Sequence, residues 1–252
     1  IHSDPHGAFN GLNILHISEE FRESGLDEKQ AVLISGVSNK LYRARLKRPR
    51  PHLDDKIITA WNGMMIAALA AAAVEFDDAR YLEAAQQAAA FIRDHLIDHQ
   101  SGRLYRRLRD GEAGIEATLA DYAWMVNGLL VLYKNTESRH WLKLAQQLTE
   151  QQLQRFYDDD SGGFFESGTD RNVLFRTRSA FDGALPAPNA ITVENLLLLS
   201  ALTGDKRWQR KASETLSVFA GSINSDPARA TWMLTQINPT VNEESLPDEN
   251  QR

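Results

Sequence analysis

The sequence predicts an all-α fold built from repeated helical hairpins, with one layer of helices packed inside another. Two observations predict it. In three segments an aromatic residue is followed four positions later by alanine, at residues 81–85, 141–145 and 208–212. Nineteen positions before each of these aromatic residues another residue opens an apolar segment, at Asn62, Tyr122 and Asn189. Equal spacing in all three segments indicates an internal repeat in which each copy is one supersecondary unit, and it predicts that Asn62, Tyr122 and Asn189 lie at one rim of the helical layer.

The two helices predicted within each repeat differ in composition. The first members, at residues 64–76, 123–133 and 191–202, are apolar nearly all round, which is typical of helices buried on both sides. The second members carry apolar residues on one face and charged residues on the other. We therefore expect inner helices wrapped by outer helices, with hairpin repeats at about residues 62–105, 122–165 and 189–222.

A further helix is expected before the first hairpin, over residues 26–47. Apolar residues recur there at every fourth position, at Leu33, Val37 and Leu41. Asp27 and Glu28 stand at its start, where the helix dipole favours anions. The segment before this helix contains several glycines and few periodic positions, so it predicts loop with a short strand near residues 13–17.

Short strands are expected beside the helical layer. Gly102 and Gly162 each precede bulky residues, a pattern typical of a turn that leads into a strand, and this predicts short β-hairpins at one rim. Residues 238–252 are rich in Pro, Asn and Glu and predict a disordered tail. We expect one domain over residues 1–237.

The composition limits the classes of function. Of 252 residues, 42% are apolar and 25% are charged, as in ordinary soluble globular proteins. The net charge of −6 argues against a nucleic-acid partner, because nucleic-acid binders are usually basic. The absence of cysteine excludes disulfides and thiolate chemistry within this chain and suits a cytoplasmic location.

No apolar run reaches the roughly 18–20 residues of a membrane helix, so no membrane partner is expected. Ile1 begins no signal-peptide pattern, and we expect a piece of a longer protein.

The most distinctive stretch lies immediately before the first apolar helix. It combines adjacent carboxylates, a cation, an indole and an amide, at Asp54, Asp55, Lys56, Trp61 and Asn62. A helix N-terminus presents unpaired N–H donors, so polar groups beside it indicate either a binding site or a helix cap with ion pairs. The residues by themselves leave both alternatives open.

The predicted layers resemble a known architecture. Alternating inner and outer helices with hairpins at one rim look like the (α/α) toroid of six-hairpin glycosidases and N-acylglucosamine 2-epimerases. That ring closes with six hairpins. This chain supplies three, together with a lone outer-type helix, and would form about half of the ring.

A narrower resemblance rests on sequence blocks at residues 48–51, 54–56, 61–63, 119–123, 162–165 and 182–189. These blocks resemble the YyaL-like family of spermatogenesis-associated, thioredoxin-domain-containing proteins, over roughly residues 7–235. In that family a thioredoxin-like domain precedes the helical toroid. The resemblance therefore implies a thioredoxin-like domain of the same longer chain as a partner, and a sugar-active superfamily without a particular reaction.

The toroid resemblance implies a site in the funnel at the N-termini of the inner helices. The candidate catalytic residues are the carboxylates Asp54, Asp55, Asp121 and Asp182. The candidate substrate-binding residues are His52, Trp61, Asn62, Tyr122, Phe164, Arg176 and Asn189. Glycoside hydrolysis needs two carboxyls, about 5 Å apart for retention or about 6.5–9.5 Å apart for inversion. Epimerisation would instead need a base such as His52.

These observations predict a carbohydrate-active domain, either epimerase- or isomerase-like or glycosidase-like, whose partner is a small-molecule carbohydrate. The alternative is a non-catalytic module that binds a glycan or a protein. No cofactor and no metal site are expected: His95 and His99 stand four positions apart, a spacing known from metal sites, but they lie at the end of an outer helix and are interpreted as surface residues. The open apolar faces of a half-ring also predict either that further chain supplies the missing half of the ring or that the fragment associates with a second copy of itself.

Overall fold

The computed structural model describes residues 25–169 and 173–237. It divides into two compact units, residues 1–54 and 55–252, and each unit is described by itself. The strand expected near residues 13–17 and the tail at 238–252 lie outside the described residues. Among the helices of the described ranges, none combines the length and apolarity needed to cross a bilayer.

The first unit contains helix α1, Glu28–Leu46. Its N-terminus is closed by a capping box, because the Asp27 carboxylate accepts from the Gln30 backbone N–H at 2.7 Å and the Gln30 side chain accepts from the Asp27 N–H at 3.0 Å. None of the residues of α1 is buried. The apolar positions that predicted the helix are therefore present but uncovered.

The second unit contains three helical hairpins within its described part. The inner helices are α2, Thr59–Glu75, α4, Leu119–Thr136, and α6, Pro188–Thr203. The outer helices are α3, Ala79–His95, α5, Arg139–Phe156, and α7, Lys206–Ser225. A short 3-10 turn, Pro227–Arg229, and helix α8, Thr231–Thr235, follow.

A three-stranded antiparallel sheet joins the segment before the first hairpin to the segment after it and packs on α2. Its strands are β1, Ile57–Ile58, β2, Tyr105–Arg109, and β3, Glu112–Glu116, and β2 is the central strand. In the register, Ile57 lies opposite Leu108 and Arg107 lies opposite Gly114. Strand β2 follows the first hairpin in the sequence and pairs with β1, which directly precedes α2. The pairing therefore places β2 beside the N-terminus of α2.

The helices form the two predicted layers. Helix α4 packs between α2 and α6, and each outer helix packs on the inner helix of its own hairpin. The core contains large apolar side chains from both layers, among them Ile66, Leu129, Phe156, Leu196 and Trp208. The predicted fold class, a mostly helical (α/α) toroid arrangement with a small sheet, is confirmed.

Helix α2 is not buried on both sides, although its composition is typical of such a helix, and this agrees with the open face expected at the end of a half-ring. Trp61, Met65 and Val74 of this helix are 61%, 57% and 63% exposed. The physical reason is position in the row, because α2 has an inner neighbour, α4, on one side only within the described residues. Helix α4 has neighbours on both sides and buries most of its residues.

Candidate functional site

The N-termini of the three inner helices meet around a pocket of about 260 Å³, here called the rim pocket. Helix α2 contributes Trp61 and Met64 to its lining, and α4 contributes Trp124. Arg106 of β2 and Phe181 of the connection before α6 complete the larger side chains. The pocket lies where the toroid resemblance placed the site.

The repeat alignment also predicted that Asn62, Tyr122 and Asn189 lie at one rim. Each stands within the first four residues of its inner helix, α2, α4 or α6. Residues from the starts of all three helices line the same pocket. The prediction is confirmed.

Asp121 ties the rim together instead of facing the pocket. Its fully buried carboxylate accepts from the Thr118 N–H at 2.9 Å and from the Thr118 hydroxyl at 2.8 Å. It also accepts from the Ala60 N–H at 3.3 Å and from Arg106 Nη1 at 3.1 Å. One carboxylate therefore joins the starts of α2 and α4 to strand β2, and Arg106 is held at the pocket edge.

Asp182 has a similar linking role at the third hairpin. Its carboxylate accepts from the backbone N–H groups of Ala187 and Trp232, both at 2.8 Å, and from the Thr231 hydroxyl at 3.1 Å. These contacts join the entry of α6 to the start of α8. Both oxygens of the Asp182 carboxylate therefore accept structural hydrogen bonds, and Asp182 does not line the rim pocket.

Three of the remaining candidates, His52, Asp54 and Asp55, are exposed, and the fourth, Asn62, is partly buried. Asp55 forms an ion pair with Arg109, with Asp55 Oδ1 3.0 Å from Arg109 Nε, and it does not line the rim pocket. His52 and Asp54 belong to the first unit and are exposed. Asn62 donates a hydrogen bond from Nδ2 to the Ile58 carbonyl oxygen at 2.9 Å, so its side chain is bound to the backbone just before α2.

Tyr122 is a core residue. It is fully buried against Phe156, with the ring centroids 5.4 Å apart. Its hydroxyl donates to Gln151 Oε1 at 3.2 Å and accepts from the Leu104 N–H at 3.3 Å. Burial raises the pKa of this hydroxyl above its ordinary value, so Tyr122 stays neutral and is not poised as a base.

Asn189 and Phe164 form a structural pair. The Asn189 side chain accepts from the Phe164 N–H and donates to the Phe164 carbonyl, both at 3.0 Å, as a neighbouring strand would. It also donates to the Ser179 carbonyl at 3.0 Å. Both residues are fully buried, so this amide fastens the turn after α5 to the start of α6.

Arg176 clamps the connection between the second and third hairpins. It donates from Nε to the Ser167 carbonyl at 2.9 Å and from Nη2 to the Arg155 carbonyl at 3.0 Å. Its guanidinium lies over the Phe165 ring, 4.1 Å from the centroid. Burial lowers the pKa of this guanidinium, but arginine remains protonated at neutral pH.

Of the predicted site residues, Trp61 is the one that lines the rim pocket. The sequence reasoning missed Arg106 and Trp124. Trp124 could have been found as a large aromatic residue near the start of an inner helix. Arg106 carried no local signal, because its position depends on β2 folding back against the helix entries. Within the described ranges, no three His, Cys, Asp or Glu side chains converge as metal ligands would.

Sequence comparisons identify relatives over nearly the whole chain. Human spermatogenesis-associated protein 20 is 33% identical over 250 residues, which cover 93% of this chain and 32% of the human protein. An uncharacterised protein of Caenorhabditis elegans is 30% identical over 249 residues, covering 94% of this chain and 34% of that protein. The chain thus spans about a third of the length of these relatives. The resemblance seen in the sequence blocks is confirmed, while no protein-family model matches the chain.

Structure comparisons identify the fold. Cellobiose 2-epimerase from Spirochaeta thermophila has a TM-score of 0.60 at 20% identity, covering 77% of this chain and 56% of that one. A family 76 α-mannanase from Bacteroides thetaiotaomicron has a TM-score of 0.56 at 17% identity, covering 68% and 47%. An unsaturated glucuronyl hydrolase specific for heparin has a TM-score of 0.55 at 17% identity, covering 68% and 48%. At these identities the likeness shows the (α/α) toroid fold alone.

Proposed function

We propose that this chain, homologous to spermatogenesis-associated protein 20 and folded as part of an (α/α) toroid, is a carbohydrate-active domain that binds a sugar in the rim pocket. The reaction class is sugar epimerisation or isomerisation, or glycoside hydrolysis. Solved structures with this fold include a sugar epimerase and glycoside hydrolases, and their names are consistent with such a role.

One observation carries the proposal: two indoles, Trp61 and Trp124, line a pocket at the starts of neighbouring inner helices. The apolar C–H face of a pyranose buries area against an indole, while polar groups orient the hydroxyls. Small-molecule pockets typically measure about 300–1,000 Å³. A pocket of about 260 Å³ therefore suits one sugar ring better than an oligosaccharide.

The alternative, a non-catalytic glycan-binding module, is favoured by a different observation. Hydrolysis by two carboxyls requires both groups to face the sugar. Asp121 and Asp182 are engaged in linking hydrogen bonds, and Asp55 is ion-paired outside the pocket. No carboxylate stands among the described residues that line the rim pocket.

Two further aspects of the function rest on the resemblance and the composition. We propose that the chain acts beside a thioredoxin-like domain of the same longer protein, as the resemblance of its sequence blocks implies. We also propose a cytoplasmic location, which suits a chain without cysteine.

The test is calorimetric titration of the chain with glucose, mannose, N-acetylglucosamine and cellobiose, followed by product analysis. Trp61→Ala should weaken binding by about tenfold or more, because an exposed aromatic anchor is removed at little cost in folding. Phe76→Ala is the matched control, since Phe76 is an exposed aromatic just past the far end of α2.

Equal binding by the two variants would contradict the rim pocket as the sugar site. Binding with turnover supports the enzyme. Binding without turnover supports the glycan-binding module.

A further inference from the structure

The rim pocket has one charged side chain among its described lining residues, Arg106. The rest of the lining is apolar or aromatic, and it includes Trp61 and Trp124. In a largely apolar pocket, a single charged side chain selects among ligands. A ligand without a complementary group would cover that side chain without forming a hydrogen bond to it, which costs binding free energy. The contacts of Arg106 therefore indicate the chemistry of the ligand.

The field of the surrounding helices favours an anion. Helices α2, α4 and α6 all begin at the rim pocket, and a helix N-terminus carries partial positive charge. The first turns of α2 and α6 contain no acidic residue. The first turn of α4 contains Asp121, whose charge is balanced by Arg106 and by backbone donors. Asp121 therefore adds no unbalanced negative charge at the rim, and the partial positive charges of the helix N-termini favour an anion in the pocket.

Arg106 also has donors to offer. Its hydrogen bonds to Thr118 Oγ1 and Asp121 Oδ2, each at 3.1 Å, both run through Nη1. Nε and Nη2 make no hydrogen bond among the described residues, and the side chain is 41% exposed. Asp121 thus holds the guanidinium in place while its other edge stays accessible. A planar guanidinium fixed in this way matches the geometry of a carboxylate or a phosphate.

We infer that the rim pocket selects a sugar that carries an anionic group, a carboxylate or a phosphate, and that Arg106 binds this group. The inference rests on the proposed function and narrows its substrate class. The indoles contact the apolar face of the ring, and the guanidinium anchors the charged substituent. A sugar acid and a sugar phosphate share this chemistry, and titration distinguishes them.

The first experiment titrates the full chain with glucuronate, glucose 6-phosphate, glucose and inorganic phosphate. Glucuronate or glucose 6-phosphate should bind about tenfold or more tightly than glucose, as expected for a hydrogen bond to a charged group. The tighter of the two identifies the anionic group. The affinity should also fall as sodium chloride is raised, since an exposed charge pair is screened.

The alternative outcomes separate the two proposals. Equal binding of glucose and the anionic sugars would overturn the inference but leave the proposed function intact. Inorganic phosphate binding as tightly as the anionic sugars would show an anion site without sugar recognition and would also overturn the inference. No binding of any sugar would overturn both.

The second experiment changes the anchor. Arg106→Gln should lower the affinity for the anionic sugar by about tenfold or more and leave that for glucose nearly unchanged. Arg107→Gln is the matched control, because side chains alternate along a strand and Arg107 stands on the opposite face of β2. An equal loss in both variants would contradict a specific role for Arg106.

Arg106→Lys covers the case in which Arg106→Gln fails to fold. It keeps a cation opposite Asp121 but loses the planar fork, so it should melt close to the parent chain and bind the anionic sugar less tightly. An equal loss of affinity for glucose and for the anionic sugar in this variant would overturn the inference.

Discussion

The backbones of Gly63 in α2 and Gly128 in α4 lie in direct contact. A Cβ atom added to Gly128 would stand 2.6 Å from the Gly63 carbonyl oxygen, and one added to Gly63 would stand 2.4 Å from the Trp124 carbonyl oxygen. Both distances are far below a van der Waals contact. The glycine of the Trp61-Asn62-Gly63 block is thus required by close helix packing, which holds together the backbones of the two helices that carry Trp61 and Trp124.

Replacing either glycine should destabilise the chain. Gly63→Ala and Gly128→Ala should each lower the free energy of unfolding by about 1–3 kcal/mol, because the backbones must move apart. Alanine has a higher helix propensity than glycine by about 1 kcal/mol, which offsets only part of this packing cost. Gly221→Ala in α7, where a Cβ meets nothing within 4 Å, should leave stability unchanged or raise it. Urea denaturation of the three variants measures the difference, and equal effects would contradict the packing argument.

Asp121 and Asp55 should differ sharply in their contribution to stability. Asp121→Asn weakens a buried carboxylate with four donors, and it should lower the free energy of unfolding by about 2–3 kcal/mol. Asp55→Asn removes an ion pair whose two side chains are 46% and 33% exposed, and it should cost at most about 1 kcal/mol.

The same pair tests catalysis. If Asp55→Asn abolishes turnover of a sugar while melting normally, Asp55 is a general acid or base, as the sequence prediction had it. Unchanged turnover with a small loss of stability would instead leave Asp55 as an ion-pair partner of Arg109.

Tyr157 should make the chain sensitive to alkali. Burial, together with a hydrogen bond to Glu214, raises the pKa of the Tyr157 hydroxyl well above its ordinary 10.0. The folded state therefore holds this proton more tightly than the unfolded state. Its contribution to stability is fully present below about pH 10 and is lost as the pH rises further.

Tyr157→Phe should accordingly show a smaller fall in melting temperature between about pH 9 and pH 11 than the parent chain does. Tyr42→Phe is the control, because Tyr42 is 60% exposed. An identical alkaline fall in Tyr157→Phe and the parent chain would argue against this linkage.

The open face of α2 should make this chain associate. Met65, Val74 and Phe76 are 57%, 63% and 71% exposed, and apolar surface of this kind normally finds a partner. We expect sedimentation to show concentration-dependent self-association, and Met65→Lys together with Val74→Glu should reduce it. A monodisperse monomer at high concentration would contradict this expectation.

The sequence by itself determined the helices, their division into two layers and the rim at which the inner helices begin. The reason is that these features are periodic and local. An apolar stripe repeats every three or four residues, and the spacing of Asn62, Tyr122 and Asn189 repeats with the hairpins.

Only the tertiary structure decided which polar groups face the rim pocket. The contacts that determine the lining join residues far apart in the sequence. Asp121, for example, accepts a hydrogen bond from the Ala60 N–H, 61 positions away. Asp121, a candidate general acid in the sequence, is therefore a buried hydrogen-bond acceptor between the helices, and it holds Arg106 at the pocket edge. Helix periodicity is a property of neighbouring residues. The lining of a pocket depends instead on which distant segments pack together, and no local pattern records that choice.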